Sequence, residues 1–156
     1  MTAIFRTLFC ISVLACSSLN AAEEAGAFTL KFDELSERHD GDLIIQGYRF
    51  SLNGGENSHF NDYPLNGVLF FHDGGSNAFD AVMTMERIDG RPFDFLGFQS
   101  LVKTPLFLKS DLRIHGEYTR GSFWLQARGI RSMTFDMDGR GPNKSAVLDN
   151  IIVRER

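Results

Sequence analysis

Apolar and polar residues alternate along most of the chain, with a period close to two. The first clear case is Phe28, Leu30 and Phe32 in the segment AFTLKF. Successive side chains of a β-strand point to opposite faces, so this period predicts strands with one buried face. Turn residues separate the runs, in the segments DGD, NGGEN, HDGGSN, DGRP, TRGS and DGRGPN. Many short strands with such turns predict a single all-β domain, a β-sandwich or barrel of about nine strands.

The alternation also places the predicted strands along the chain. They cover residues 28–32, 43–50, 68–72, 79–88, 92–98, 112–118, 122–128, 132–137 and 146–153.

Two of these strands predict a hairpin in a definite register. The segments LRIHGEYT and SFWLQAR flank Arg120 and Gly121, which read as a tight turn. One predicted face is apolar and turns to the core, with Ile114, Tyr118, Phe123, Leu125 and Ala127. The other predicted face is polar and turns to solvent, with Arg113, His115, Glu117, Trp124, Gln126 and Arg128.

The polar face is a candidate carbohydrate-binding site. Trp124 is the single tryptophan of the chain, and an aromatic ring can stack on a sugar while polar neighbours reach its hydroxyls. Alternatively, another segment of the chain covers this ring. Arg113 faces Arg128 in the predicted register, an unfavourable like-charge pair. A carboxylate from elsewhere in the chain, or an acidic sugar, would relieve it.

The segment ENSHFNDYP predicts an exposed loop, because it is polar and aromatic and lacks alternation. Loops at the rim of a rigid scaffold often bind ligands. This loop supplies the secondary candidates His59, Asn61, Asp62 and Tyr63.

Asp149 interrupts the last predicted strand, AVLDNIIVRER. Regular alternation puts it on the same side as Val147, Ile151 and Val153, so the strand predicts a carboxylate that points into the core. A buried carboxylate must be hydrogen-bonded, paired or bound to a metal. Backbone N–H groups of residues 34–42, or the guanidinium of Arg38, are the predicted partners within the chain.

Residues 1–22 have the layout of a secretory signal peptide. Arg6 precedes an apolar run, and Ala21 and Ala22 supply small residues at the predicted cleavage site. The apolar run is too short for a membrane span, which needs about twenty residues. An alternative is a lipoprotein signal in which Cys16 is lipidated. Either interpretation predicts export, to the periplasm, the exterior or the outer membrane, and leaves residues 23–156 as one domain.

Composition and motifs argue against several functional classes. The chain carries 16 basic and 20 acidic side chains and a net charge of −4, which is unfavourable for binding nucleic acid. The sequence has no nucleophile elbow, no zinc-protease motif and no phosphate-binding loop. We therefore predict a protein that is not an enzyme.

The order of short motifs resembles that of a large group of secreted bacterial domains. The resemblance rests on FTLKFDEL, GYRF, PFDFLGFQS, LRIHGEYTRGSF and the ending GIRSMTFDMDG with AVLDNIIV. Domains of this group are jelly-roll β-sandwiches with a galactose-binding-like fold. Many belong to exosortase-sorted (PEP-CTERM) proteins, and they are similar to carbohydrate-binding modules. The resemblance implies a jelly-roll sandwich over nearly the whole of residues 23–156.

The resemblance also implies a cofactor. In related carbohydrate-binding sandwiches, a structural calcium ion often joins an acidic residue at the first strand to an aspartate in the last. The matching positions are Asp33, Glu34 and Asp149. Calcium takes about 6–8 oxygen ligands, which carboxylates and backbone carbonyls can supply.

These observations predict a secreted, non-catalytic domain that binds carbohydrate, such as a cell-surface or extracellular polysaccharide. The alternative is a structural or adaptor protein of the cell envelope that binds another protein. Such an adaptor would present an apolar patch or an unpaired sheet edge.

Overall fold

The computed structural model describes residues 25–33, 35, 37–54, 57–61, 67–72, 81–137 and 145–156. These residues form twelve strands: β1 Ala27–Thr29, β2 Leu43–Ile45, β3 Tyr48–Asn53, β4 His59–Phe60, β5 Leu69–His72, β6 Val82–Arg87, β7 Phe93–Ser100, β8 Leu106–Ser110, β9 Ile114–Tyr118, β10 Gly121–Ile130, β11 Ser132–Met137 and β12 Ser145–Glu155. The predicted all-β class is confirmed, with more strands than the nine expected.

The strands lie in two antiparallel sheets of six strands each. Sheet A has the order β10-β7-β12-β5-β4, and β1 also pairs with β12. Sheet B has the order β2-β3-β6-β11-β8-β9. The predicted jelly-roll sandwich is therefore confirmed. The strand β10 is an edge of sheet A, and β9 is an edge of sheet B.

The last strand, β12, holds sheet A together. It pairs with β1, β5 and β7, so it contacts strands from the beginning and the middle of the described chain.

Aromatic side chains from both sheets fill the core. The ring centroid of Phe135 in sheet B lies 5.8 Å from those of Phe95 and Phe98 in sheet A, both in edge-to-face geometry. All three side chains are buried. Burial of each such ring stabilises the fold by about 1.5–3 kcal/mol, which explains how the domain can form a core without disulfide bonds.

Two strand predictions change in detail. Residues 43–50 form two strands instead of one, because Gln46 and Gly47 have φ angles of 47° and 84° and make a two-residue hairpin turn between β2 and β3. The strands β4 and β8 were not predicted. The first has only two residues, and the second begins with the apolar run Leu106–Leu108, which obscures its alternation.

Within the described ranges, the chain has no helix with the length and hydrophobicity that a membrane crossing requires.

Candidate functional site

The predicted hairpin between β9 and β10 is wrong. The strand β9 pairs with β8 in sheet B, whereas β10 pairs with β7 in sheet A, where Trp124 lies opposite Gly97. Thr119 and Arg120 carry the chain from one sheet edge to the other. Alternation predicts which side chains face inward. It does not predict which strands pair, because two strands of one sheet and two strands that face each other across the core show the same pattern.

The predicted inward face is confirmed for β10 and wrong at one position of β9. Ala127 is buried in the core, and Tyr118, Phe123 and Leu125 pack against it. Ile114, however, is 75% exposed. The register shifts where Leu108 pairs with Gly116 and Lys109 with Ile114, so His115 is an extra residue that turns Ile114 outward.

The two sheet edges enclose a cleft that reunites four of the six predicted ligand-binding residues. We call it the seam cleft; it has a volume of about 270 Å³. Its lining includes Arg113 and His115 from the β8–β9 side and Gln126 and Arg128 from β10. These pairs face each other across the gap between sheets and not within a ladder.

Ser110 fixes the wall of the seam cleft. Its buried hydroxyl donates to the carbonyl of Arg113 and accepts the N–H groups of Leu112 and Arg113, at 3.2–3.3 Å. The Nε2 atom of His115 lies 3.0 Å from the same hydroxyl oxygen. Burial, reinforced by the charge of Arg113, lowers the pKa of His115, so its ring is neutral at pH 7.

Trp124 and Glu117 do not line the seam cleft among its described residues. Glu117 is exposed on β9 and pairs with Phe107 of sheet B. Trp124 lies on the outer face of sheet A, since its neighbours Phe123 and Leu125 pack against the core. The six predicted residues therefore occupy three places: four line the seam cleft, Glu117 lies on sheet B and Trp124 lies on the outer face of sheet A.

The surface around Trp124 is a continuous part of the outer face of sheet A. Across the strands, Trp124 is opposite Gly97, Gly97 is opposite Ile152, and Ile152 is opposite Thr29. A second row beside it runs from Ser122 through Gln99 to Asp149. We call these two rows, with Asn150, the Trp124 face.

The indole ring of Trp124 packs against Gly97, which has no side chain to keep it away. A Cβ atom at this position would lie 3.1 Å from Cε3 of Trp124 and 2.5 Å from the carbonyl oxygen of Phe123. The ring therefore packs directly on the backbone of β7. Trp124 is half-buried, so part of this residue is open to solvent.

The prediction that Asp149 points into the core is wrong. Leu148 and Ile151 are both core residues, with Asp149 and Asn150 between them. Asn150 has a φ of 48° and causes a register shift between β12 and β7. This bulge reverses the alternation, so Asp149 shares the outer face with Val147.

Asn150 organises the polar row of the Trp124 face. Its backbone N–H and its side-chain Nδ2 donate to the two carboxylate oxygens of Asp149, at 2.7 and 3.1 Å. Nδ2 also donates to Oε1 of Gln99 at 2.9 Å. Arg38, a predicted partner of Asp149, instead pairs with Asp40 at 2.7 Å.

Two of the three predicted calcium ligands border one pocket. Asp33 and Asp149 line a cavity of about 310 Å³ together with Asn150. Glu34 lies outside the described residues. Among the residues that the structure describes, no three His, Cys, Asp or Glu side chains converge to hold a metal ion. The calcium site therefore stays a prediction.

The loop candidates differ from expectation. Asp62 and Tyr63 lie outside the described residues, whereas His59 and Asn61 are buried and not exposed. Asn61 accepts the N–H of Phe70 through Oδ1 at 3.0 Å and donates its own N–H to the Phe70 carbonyl. His59 lies 2.7 Å from the carbonyl of Asn57 through Nδ1. The contacts of both residues hold the edge of sheet A.

Sequence reasoning missed a buried charge cluster beside the Trp124 face. Asp94 has no exposed surface, and its carboxylate accepts hydrogen bonds from Gly129 N–H at 2.7 Å, Arg156 Nε at 2.6 Å and both Nε and Nη2 of Arg154. Burial acts to raise the pKa of Asp94, but these donors outweigh it and hold the pKa below its usual value. Because Phe93 and Phe95 point into the core, Asp94 lies on the outer face of sheet A, where the two arginines cover it.

No protein-family model and no curated protein sequence matches this chain. Among solved structures, a mutant of a family 29 carbohydrate-binding module in complex with mannohexaose has a TM-score of 0.50 at 9% identity, covering 82% of this chain and 89% of the module. A second mutant of that module has a TM-score of 0.48 at 10% identity, covering 82% and 90%. An agarase has a TM-score of 0.46 at 13% identity, covering 84% of this chain and 25% of the enzyme. At these identities, the likeness to the mannohexaose complex is one of fold.

Proposed function

We propose that this chain is a non-catalytic carbohydrate-binding domain whose glycan lies on the Trp124 face. The observation that carries the proposal is the half-buried Trp124, whose ring packs on Gly97 and is bordered by the polar row of Ser122, Gln99 and Asp149. A pyranose ring presents C–H groups on its faces and hydroxyls at its rim, so it requires an apolar platform with hydrogen-bonding groups beside it.

The geometry of the face suits a ligand that extends across strands. The apolar row continues from Trp124 past Gly97 to Ile152, and the polar row runs parallel to it. The hydroxyl of Ser122 and the amide of Gln99 can donate to and accept from sugar hydroxyls, and the carboxylate of Asp149 can accept from them. The fold supports the same proposal, since the family 29 module with this architecture was solved with mannohexaose.

The proposal is tested by binding of residues 23–156 to a panel of polysaccharides, in affinity electrophoresis and calorimetry. Trp124→Ala should weaken binding at least about tenfold, because an aromatic side chain buried against a ligand contributes about 1.5–3 kcal/mol. The matched control is Phe107→Ala, which removes an exposed aromatic ring from the outer face of sheet B. A folded wild type that binds no member of the panel, or equal binding by Trp124→Ala, would overturn the proposal.

We further propose that residues 1–22 direct export and are removed. The support is the charged, apolar and small-residue order of that segment. Mass spectrometry of the protein recovered from a bacterial envelope distinguishes cleavage before residue 23 from lipidation at Cys16. A full-length cytoplasmic product would contradict both forms of the proposal.

A second candidate function, an adaptor that binds an envelope protein, is favoured by one observation. The edge strand β9 and the turn before it expose Ile114 at 75% and Leu112 at 64%. An exposed strand edge with apolar side chains is a site at which another chain can add a strand. In the binding experiment, glycan binding that Ile114→Lys leaves intact and Trp124→Ala abolishes would exclude β9 as the functional surface.

A further inference from the structure

The described lining of the seam cleft carries positive charge and includes no carboxylate. Arg113 and Arg128 both line the cleft, and none of its described lining residues is Asp or Glu. Arg128 has a further interaction within the chain. Arg113 is exposed and forms no ion pair with the residues that the structure describes, so its guanidinium is the uncompensated charge of the cleft.

The described lining of the cleft also includes a neutral amide, Gln126, and an imidazole, His115. Gln126 contributes an amide, and its φ of 52° places it at a bulge where β10 shifts register against β7. His115 is held by its contact with Ser110 at 3.0 Å. Both residues lie at β-bulges, where one strand has an extra residue. A bulge changes the direction in which a side chain points relative to a regular strand. A planar guanidinium with such neighbours matches the oxygen atoms of a carboxylate or sulfate.

The size of the cleft limits what it can hold. At about 270 Å³, it is smaller than the roughly 300–1,000 Å³ of pockets that enclose a whole drug-sized ligand. It therefore suits one charged substituent of a larger molecule, with the remainder of that molecule outside.

The position of the cleft relates it to the Trp124 face. Arg128 follows Trp124 by four residues on the same strand, β10, and four residues of strand span at most roughly 13 Å. Two register shifts between Trp124 and Ile130 shorten and bend this stretch. A short oligosaccharide that stacks on Trp124 and runs toward the sheet edge reaches the cleft.

We propose that the seam cleft binds the carboxylate or sulfate group of an acidic polysaccharide, a neighbouring sugar of which stacks on Trp124. This inference rests on the proposed carbohydrate-binding function and adds the chemical class of the ligand: an anionic glycan rather than a neutral one. Arg113 is the residue that confers the preference, with the amide of Gln126 as a neutral donor beside it.

The test uses two chemically matched pairs of polysaccharides. Polygalacturonate is compared with its methyl ester, and carrageenan with its desulfated form, so each pair differs in charge and hardly in shape. Wild-type residues 23–156 should bind the anionic member of at least one pair about tenfold more tightly. The two pairs distinguish a carboxylate ligand from a sulfate ligand.

Arg113→Gln should reduce binding of the anionic member to the level of the neutral one. The control Lys109→Gln removes the same charge from an exposed position on β8, outside the cleft, and should keep the preference. Equal binding of both members by the wild type, or a preference that survives Arg113→Gln, overturns the inference while the function stands. Loss of all binding in Trp124→Ala, with loss of only the preference in Arg113→Gln, supports both.

Discussion

The indole ring of Trp124 packs on Gly97, its cross-strand partner, with only 3.1 Å between the ring and the place that a Cβ atom would occupy. The backbone of Phe123 is still closer to that place, at 2.5 Å, and a backbone atom cannot move aside as a flexible side chain can. The platform that we propose for sugar binding thus depends on a residue without a side chain.

Gly97→Ala should therefore both destabilise the domain and displace the ring. We expect a loss of about 1–3 kcal/mol in the free energy of unfolding, the usual cost of an added methyl group without space. Emission of the single tryptophan should shift toward that of an exposed indole. Gly41→Ala is the control, since its Cβ would meet only His39 Nε2 at 3.9 Å. Unchanged stability and emission in Gly97→Ala would contradict the close packing of the Trp124 ring on Gly97.

Asp94→Asn should cost stability in a pH-dependent way. It leaves Arg154 and Arg156 without their carboxylate. We expect about 2–3 kcal/mol at pH 7, less than the roughly 3–5 kcal/mol of a fully buried pair, because both arginines keep some exposure. The pKa of Asp94 is lower in the folded chain than in the unfolded chain, so its contribution is present above the unfolded pKa of about 3.9.

That contribution is lost as the pH falls through the folded pKa. The difference in unfolding free energy between wild type and Asp94→Asn should consequently be constant from pH 7 to about 5 and shrink below about pH 4. Urea unfolding at several pH values measures it. A difference that grows toward acid would show that Asp94 is not stabilised as a carboxylate.

Replacement of Asn150 should separate backbone strain from hydrogen bonding. At its φ of 48°, Asn150→Ala places an ordinary side chain in a left-handed conformation and removes the hydrogen bonds to Asp149 and Gln99. We expect a loss of about 1–2 kcal/mol. Asn150→Gly loses the same side-chain bonds but adopts this conformation freely, so it should be the more stable of the two variants in denaturant. The reverse order would mean that the bulge does not persist in solution.

A bound calcium ion should raise the midpoint of thermal unfolding relative to a sample with chelator, since a ligand that binds only the folded state stabilises it. Asp33→Asn should abolish the difference, because Asp33 borders the pocket with Asp149. Asp40→Asn, at an exposed position paired with Arg38, should keep it. Equal midpoints with calcium and with chelator in the wild type would discard the metal.

The amphipathic pattern predicted the all-β class and the inward side of β10, because burial of Phe123, Leu125 and Ala127 depends only on which face each side chain takes. The two-layer jelly roll was implied by the resemblance and left open by the pattern, which also fits a barrel. The pattern did not predict the partner strands. The choice between a hairpin and a crossing to the other sheet depends on how Thr119 and Arg120 direct the chain, and both arrangements bury the same residues.

Bulges account for most of the remaining differences. One extra residue at His115 exposes Ile114, and one at Asn150 turns Asp149 outward. Asparagine tolerates the left-handed conformation better than most residues, so Asn150 was a usable signal that the alternation changes there. Four of the predicted binding residues do lie together in the seam cleft. They meet across the gap between the two sheets, and not in the hairpin that the sequence predicted.

The central position of β12 in sheet A has a consequence for when the protein can fold. Its partners β1, β5 and β7 are synthesised earlier but have no common neighbour until residues 145–156 have left the ribosome. Such distant pairing makes folding slow, on a scale of milliseconds to seconds for sandwiches. Completion of sheet A is thereby delayed until β12 has been synthesised, so β1, β5 and β7 wait without their shared partner for that interval.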